Sequence, residues 1–319
     1  MDLAEILKNK KSAAITGHIR PDGDATGSCL ALYRYIKKNF TDVEVSVYLE
    51  ETDPAFEYLK GIDIIKHEPD TPAIPVDVFF VLDCANADRI KPFASVCEAA
   101  AMRVCIDHHV SSDGDFADVN VIEPDASSTC EVLYKLLDKD KMDKDIAECL
   151  YTGIIHDTGV FKYECTTPET MCIAAELMKY GFDFSRIIDE SFYSRSFQSG
   201  KALGIALDKA RYFCEGYGIY SYLTEEDVKK SGATKQDLGG IVEQLRLTGG
   251  AELAVFIYPG DGDKKVSLRS KKEVDVAAYA KSQEGGGHVR AAGFSTEKDY
   301  EDIIKDICGY AGECRRKNA

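Results

Sequence analysis

The chain has 319 residues, 45% of them apolar, and a net charge of −16 from 39 basic and 55 acidic side chains. That length suits two domains with buried cores and excludes wholesale disorder. No stretch approaches the roughly 18 uninterrupted apolar residues of a membrane span, and the acid excess disfavours the wrapping of long duplex nucleic acid.

The start, MDLAEILKNKKSAAITGH, has no apolar run of the signal-peptide kind, so a cytoplasmic address is expected. Apolar, strand-like runs follow at Ala13–Thr16, Val43–Leu49, Val76–Leu82 and Val104–Ile106. Helical patterns lie between and after them, at Ser28–Phe40, Ser128–Leu137 and Asp145–Ile155, and Pro168 opens a further helix that Gly181 closes. Strands alternating with helices predict an α/β domain over residues 1–185, built on a mostly parallel sheet covered on both faces. A helical linker is expected over 186–208. The rhythm then changes. RYFCEGYGIYSYL reads as two strands around a turn, AELAVFIYPGDGDKKVSLRS as a hairpin, and DVAAYAKS and EKDYEDIIKDICGYAGECRRK as helices. Residues 209–319 are thus expected to form a smaller α+β domain. This segment holds 18 basic and 18 acidic side chains, so the whole charge excess lies in the first 208 residues. The eleven cysteines are odd in number and none has Cys-x-x-Cys spacing, which reads as free, buried thiols in a reducing compartment.

Four segments carry chemistry. ITGHIRPDGDATGS holds His18, Asp22 and Asp24 in a Gly/Pro-rich loop after the first strand. VFFVLDCA ends its strand on Asp83, and VCIDHHV ends on Asp107, His108 and His109. IIHDTGVF places His156 and Asp157 after a helix. Singly, each has an ordinary explanation, since Asp in a Pro-Asp-Gly-Asp loop is a common turn residue. Together, at successive strand ends, they share the crevice where open parallel sheets bind ligands. Several carboxylates in one pocket repel unless cations neutralise them. Mixed carboxylate and imidazole donors suit hard to borderline divalent metals, Mn²⁺ among them, and there are enough donors for two ions, the usual device of phosphoester hydrolysis.

HIRPDGDATGS, VLD, DHH and HDTG, followed by GGGHVRAAG, resemble the ordered motifs of the DHH phosphoesterase superfamily with a DHHA1 C-terminal domain. The layout is most similar to the group that degrades very short RNA and phosphoadenosine phosphate (the nanoRNase A type). The resemblance covers nearly the whole chain. It implies one metal on His18, Asp22 and Asp83, and another on Asp24, Asp83, His108 and Asp157, with Asp83 shared. It implies that His109 contacts the scissile phosphate or leaving oxygen, with Asp107 supporting the histidine pair, and that water attacks phosphorus in line. Two Mn²⁺ ions per site are expected, with Mg²⁺ or Co²⁺ as substitutes. Arg269, Gly286, Gly287, His288 and Arg290 are expected to bind a short RNA or small nucleotide in an interdomain cleft. Arg195 is a weaker candidate, His156 has no implied role, and Ser127 and Ser128 read as helix caps. The family also suggests a homodimer. Two alternatives stand beside this reading: a stand-alone cyclic-dinucleotide phosphodiesterase, and a non-catalytic nucleotide sensor, which would have lost a metal ligand. An exonuclease working along long single strands does not fit a chain with no basic stripe, and the GGGH segment is the wrong C-terminal signature for a family II pyrophosphatase.

Overall fold

In the computed structural model, which describes residues 2–70, 73–112 and 114–318, the apolar runs of the first half become parallel strands. They are β1 (Ser12–Thr16), β2 (Glu44–Tyr48), β3 (Val78–Leu82), β4 (Arg103–Asp107) and β5 (Val119–Ile122), in the order β2-β1-β3-β4-β5. Every residue of β3 is buried. Val78, Phe80 and Leu82 face one core, while Phe79 and Val81 face the other with Ile90, Phe93 and Val96. Burial on both faces is why this strand reads as an unbroken apolar run. Phe79 and Phe80 each contribute roughly 1.5–3 kcal/mol by burial.

The helices of this unit are α1 (Leu3–Leu7), α2 (Gly23–Asn39), α3 (Ala94–Ala99), α4 (Thr129–Leu136), α5 (Lys144–Asp157), α6 (Pro168–Met178) and α7 (Phe184–Ile187). The first core takes side chains from α2, α4 and α5. Helix α2 begins five residues before the expected Ser28, because Asp22 caps it by accepting from the amides of Asp24 and Ala25. Pro168 opens α6 behind a Thr167–Thr170 capping box, as its sequence predicts.

The backbone divides into two units, Met1–Ser194 and Arg195–Ala319. The stretch 186–208 is shared between them. A π-helical turn at Ile188–Tyr193 extends α7 in the first unit, and α8 (Phe197–Asp208) belongs to the second. The second unit carries β6 (Arg211–Phe213), β7 (Gly218–Tyr222), α9 (Glu225–Ser231), α10 (Ile241–Arg246), β8 (Leu253–Pro259), β9 (Lys264–Ser270), α11 (Val276–Ser282), β10 (Gly286–His288), β11 (Ala291–Thr296) and α12 (Tyr300–Asn318). Its mixed sheet runs β10-β11-β9-β8-β7-β6. Leu253, Val255 and Ile257 of β8 face α11 and α12, and Ala254 and Phe256 face α8 and α10. This is the α/β plus α+β architecture expected from the sequence, with β5, the β10–β11 hairpin and the short helices α1, α3, α9 and α10 as additions.

The cysteines need a correction. Cys214 and Cys308 are joined in a disulfide, although all eleven read as free thiols. The partners are 94 residues apart and meet only because the β6–β7 turn packs beside α12, which spacing cannot reveal. Cys165 and Cys172 are exposed rather than buried. Among the described residues, no helix is long and apolar enough to cross a membrane.

Candidate metal centre

The order β2-β1-β3-β4-β5 reverses direction between β1 and β3, and ligands of open α/β sheets bind at the carboxyl ends of strands beside such a switch point. His18 and Asp22 follow β1, and Asp83 follows β3. His18 Nδ1 donates to the Ile19 carbonyl at 2.8 Å, which turns Nε2 toward Asp83 Oδ2 at 3.4 Å and Asp22 Oδ2 at 3.6 Å. Asp83 has a left-handed φ of 56° and is only 2% exposed. Such a conformation is uncommon for a residue other than glycine and persists only where its surroundings hold it. Here the Asp83 amide donates to Ile106 O, continuing the β3–β4 ladder one residue further.

Asp107 ends β4 wholly buried. One carboxylate oxygen accepts both the His108 amide (2.8 Å) and His109 Nδ1 (2.7 Å). His109 is thus held by one nitrogen, and its side chain is 39% exposed. His108 Nε2 lies 3.0 Å from Asp157 Oδ2, at the end of α5, and 3.6 Å from Asp83 Oδ1. Asp24 is fully buried and accepts the amides of Thr129 (2.6 Å) and Cys130 (2.9 Å) at the start of α4. Thr129 Oγ1 also donates to Asp83 Oδ1 at 3.2 Å. Gly153 of α5 makes room for this arrangement, because a Cβ there would meet Asp24 Oδ1 at 2.6 Å and press on Cys130 Sγ. Ser128 caps α4, as expected, and Ser127 Oγ donates to Glu131.

Among the described residues, three donor trios result, each with ligand atoms within 4.8 Å of one another: His18–Asp22–Asp83, Asp24–His108–Asp157 and Asp83–His108–His109. Asp83 and His108 each belong to two of them. The close ion pairs of Asp22, Asp83, Asp107 and Asp157 run to histidines. Burial, then the charges of Asp83 and Asp157, hold Asp24 well above the usual carboxylate range. Burial also pushes Asp157 up to about 6, against the His108 hydrogen bond. Burial opposes charge on His18, but Asp22 and Asp83 outweigh it and raise the imidazole to about 10. His108 moves the same way, through Asp157 and Asp24. The cluster therefore favours added positive charge, and its oxygen and imidazole donors match a divalent cation such as Mn²⁺ or Mg²⁺. His156 belongs to none of the trios. Its Nε2 is bonded to Ser191 Oγ at 3.0 Å, and burial pushes the ring down to about 4.

In the second unit Gly286, Gly287 and His288 lie on the edge strand β10, Arg290 in the turn that follows it, and Arg269 on the inner strand β9. Arg269 pairs with Ala291, and Ala291 with His288. Directly opposed residues on neighbouring strands point to the same face. Arg269 and His288 therefore flank the small Ala291, on the face that carries Ala254. Gly286, Gly287 and His288 form β10 and are exposed. Arg290 Nη1 donates to Val274 O at 3.0 Å. The glycines also have a local cause, since a Cβ on Gly285 or Gly287 would strike the opposite hairpin strand. Arg195 opens this unit beside Gly240. Reading by sequence missed Thr129 and Cys130. The Ser128-x-x-Glu131 capping pattern marks the helix start but not the carboxylate its amides would meet.

The DHH family N-terminal domain matches residues 12–154, and the DHHA1 domain matches residues 215–313. The chain is 29% identical to the probable bifunctional oligoribonuclease and PAP phosphatase NrnA of Streptococcus mutans, over 94% of this chain and 95% of that protein. An exopolyphosphatase-related protein from Bacteroides fragilis has the same fold, with a TM-score of 0.84 and 24% identity over 97% of this chain and 94% of that one. RecJ of Thermus thermophilus, solved with Mn²⁺, resembles it in fold at a TM-score of 0.52 and 14% identity, over 98% of this chain and 53% of RecJ. With both domains present in order, the chain belongs to the DHH/DHHA1 superfamily of metal-dependent phosphoesterases.

Proposed function

We propose that this enzyme hydrolyses short oligonucleotides and 3′-phosphoadenosine 5′-phosphate, using two Mn²⁺ ions. The observation that carries the reading is the set of interlocking trios, in which Asp83 and His108 are each shared. His18, Asp22 and Asp83 hold one ion, and Asp24, Asp83, His108 and Asp157 hold the other. Bound there, the ions would polarise the phosphoester and activate a water for in-line attack. The rest of the chemistry falls to side chains. Asp107 fixes the His109 ring through Nδ1, and this bond raises the imidazole above its ordinary value. His109 then presents Nε2 to the leaving oxygen and can deliver a proton to it. The α4 amides, donated by Thr129 and Cys130, hold the Asp24 carboxylate in place, as outer-shell partners of metal ligands do.

Arg269, His288 and Arg290, with the Gly286–Gly287 backbone, bind the phosphate and base of the nucleotide. Two things support a short substrate. The identity to the Streptococcus mutans oligoribonuclease and PAP phosphatase runs nearly end to end. The second domain also has no net charge with which to track a long polyanion.

The test is a rate comparison. Purified protein with Mn²⁺ is given pApA, short RNA, phosphoadenosine phosphate, cyclic di-AMP and pyrophosphate. Fastest turnover of the first three is expected. Preference for cyclic di-AMP would move the assignment to a cyclic-dinucleotide phosphodiesterase, and turnover of pyrophosphate alone would overturn the reading of the second domain.

A further inference from the structure

His156 is a half-buried titratable group that the proposed chemistry does not use, and its surroundings are built. Its ring meets Phe56 edge-on at 5.0 Å and Phe192 edge-on at 5.5 Å. Ser191 Oγ donates to Ile187 O at 2.7 Å, so it accepts from His156 Nε2, which therefore carries the proton. The fourth side is Gly23. A Cβ built there would lie 2.7 Å from both Cβ and Cδ2 of His156, and closer still to Cγ. Gly23 is not among the glycines with a left-handed φ, so its backbone would accept other residues. The histidine ring is what excludes a side chain at position 23.

The neighbours of these two residues give the contact its meaning. Gly23 lies between Asp22 and Asp24, in the first turn of α2. His156 immediately precedes Asp157 at the end of α5. One ring therefore sets the spacing between the start of α2, which carries two of the carboxylates, and the end of α5, which carries a third. The π-helical turn supplies Ser191 and Phe192 to hold that ring in place.

We infer that His156 is a positioning residue. Its ring, packed on Gly23 and anchored by Ser191, sets the distance from Asp22 and Asp24 to Asp157 and so tunes affinity for the divalent ion. The inference rests on the metal-centre reading above.

The test is a double-mutant cycle read as Mn²⁺ affinity of the metal-stripped protein, followed by the electron paramagnetic resonance of free Mn²⁺. Melting temperature is recorded alongside. Gly23→Ala should weaken Mn²⁺ binding about 10-fold or more, the scale of outer-shell changes at metal sites. His156→Ala should weaken it less. In the double variant, Gly23→Ala should cost under about threefold, because the added methyl then has space. His156→Phe keeps the packing and should bind Mn²⁺ within about threefold of wild type, a comparison that stands even if Gly23→Ala fails to fold. Equal cost of Gly23→Ala with and without the ring would overturn the inference. So would a loss in His156→Phe as large as in His156→Ala. If the wild-type protein itself binds no Mn²⁺, the metal-centre reading fails, and this inference with it.

Discussion

The two units place their candidate functional residues in opposite physical settings. In the first, Asp24, Asp83 and Asp107 are buried and held by several elements at once: the α4 amides, the Thr129 hydroxyl and the histidines. In the second, Gly286, Gly287 and His288 lie exposed on an edge hairpin. The contrast follows from what each job demands. Like charges packed together repel, so a multi-carboxylate centre must be rigidly cross-braced and supplied with counter-charge. A group that reads a mobile nucleotide must instead be reachable. Changes in the first unit should therefore act on metal affinity and kcat, and changes in the second on KM.

The largest expected effect is at the shared carboxylate. Asp83→Ala should cut Mn²⁺-dependent turnover by roughly 10³-fold or more, as loss of a metal-centre charge does. Activity near wild type would break the two-ion assignment. An intermediate effect is expected in the second unit. Arg269→Ala or His288→Ala should raise KM about 10-fold, leaving Mn²⁺ affinity unchanged and kcat within about threefold, the pattern of lost uniform binding. A fall in kcat with KM unchanged would erase the proposed division of labour.

The smallest effect concerns stability and pH. His18 has its folded pKa raised from 6.5 to about 10. Its stabilisation is complete below pH 6.5 and is lost as pH rises toward 10. The metal-free protein in EDTA should therefore melt several degrees lower at pH 9 than at pH 6.5. Saturating Mn²⁺ should remove that difference, because the cation replaces the protons. An unchanged pH dependence with and without Mn²⁺ would separate His18 from the metal site.

What could be read in advance follows the same division. Strands β1, β3 and β4 were legible because burial on both faces writes a nearly unbroken apolar run, and the edge strand β2 because its valines alternate with Glu44 and Ser46. Strand β5 was not, since it is a four-residue edge strand with polar Asn120 exposed in its middle. The early start of α2 was hidden by Gly23, Thr26 and Gly27, poor helix formers that the Asp22 cap and burial override. At the site, the Asp and His types and their positions at strand ends were visible. The approach of Thr129 and Cys130 to Asp24 across more than 100 residues was not, and neither was the Cys214–Cys308 pairing. These depend on how separate elements pack, which local pattern does not encode. The fit of Gly23 against His156 belongs with them: both residues were in plain view, and only their proximity gives them a role.

The central claim is that the carboxylates and imidazoles at the β1–β3 switch point form one two-ion centre that turns on Asp83. Its most direct test counts Mn²⁺ bound per chain by calorimetric titration of the metal-stripped protein, wild type beside Asp83→Ala. Two ions are expected in the wild type, with the loss of at least one in the variant. A wild type that binds none, or an Asp83→Ala protein that binds two with unchanged affinity, would contradict the claim.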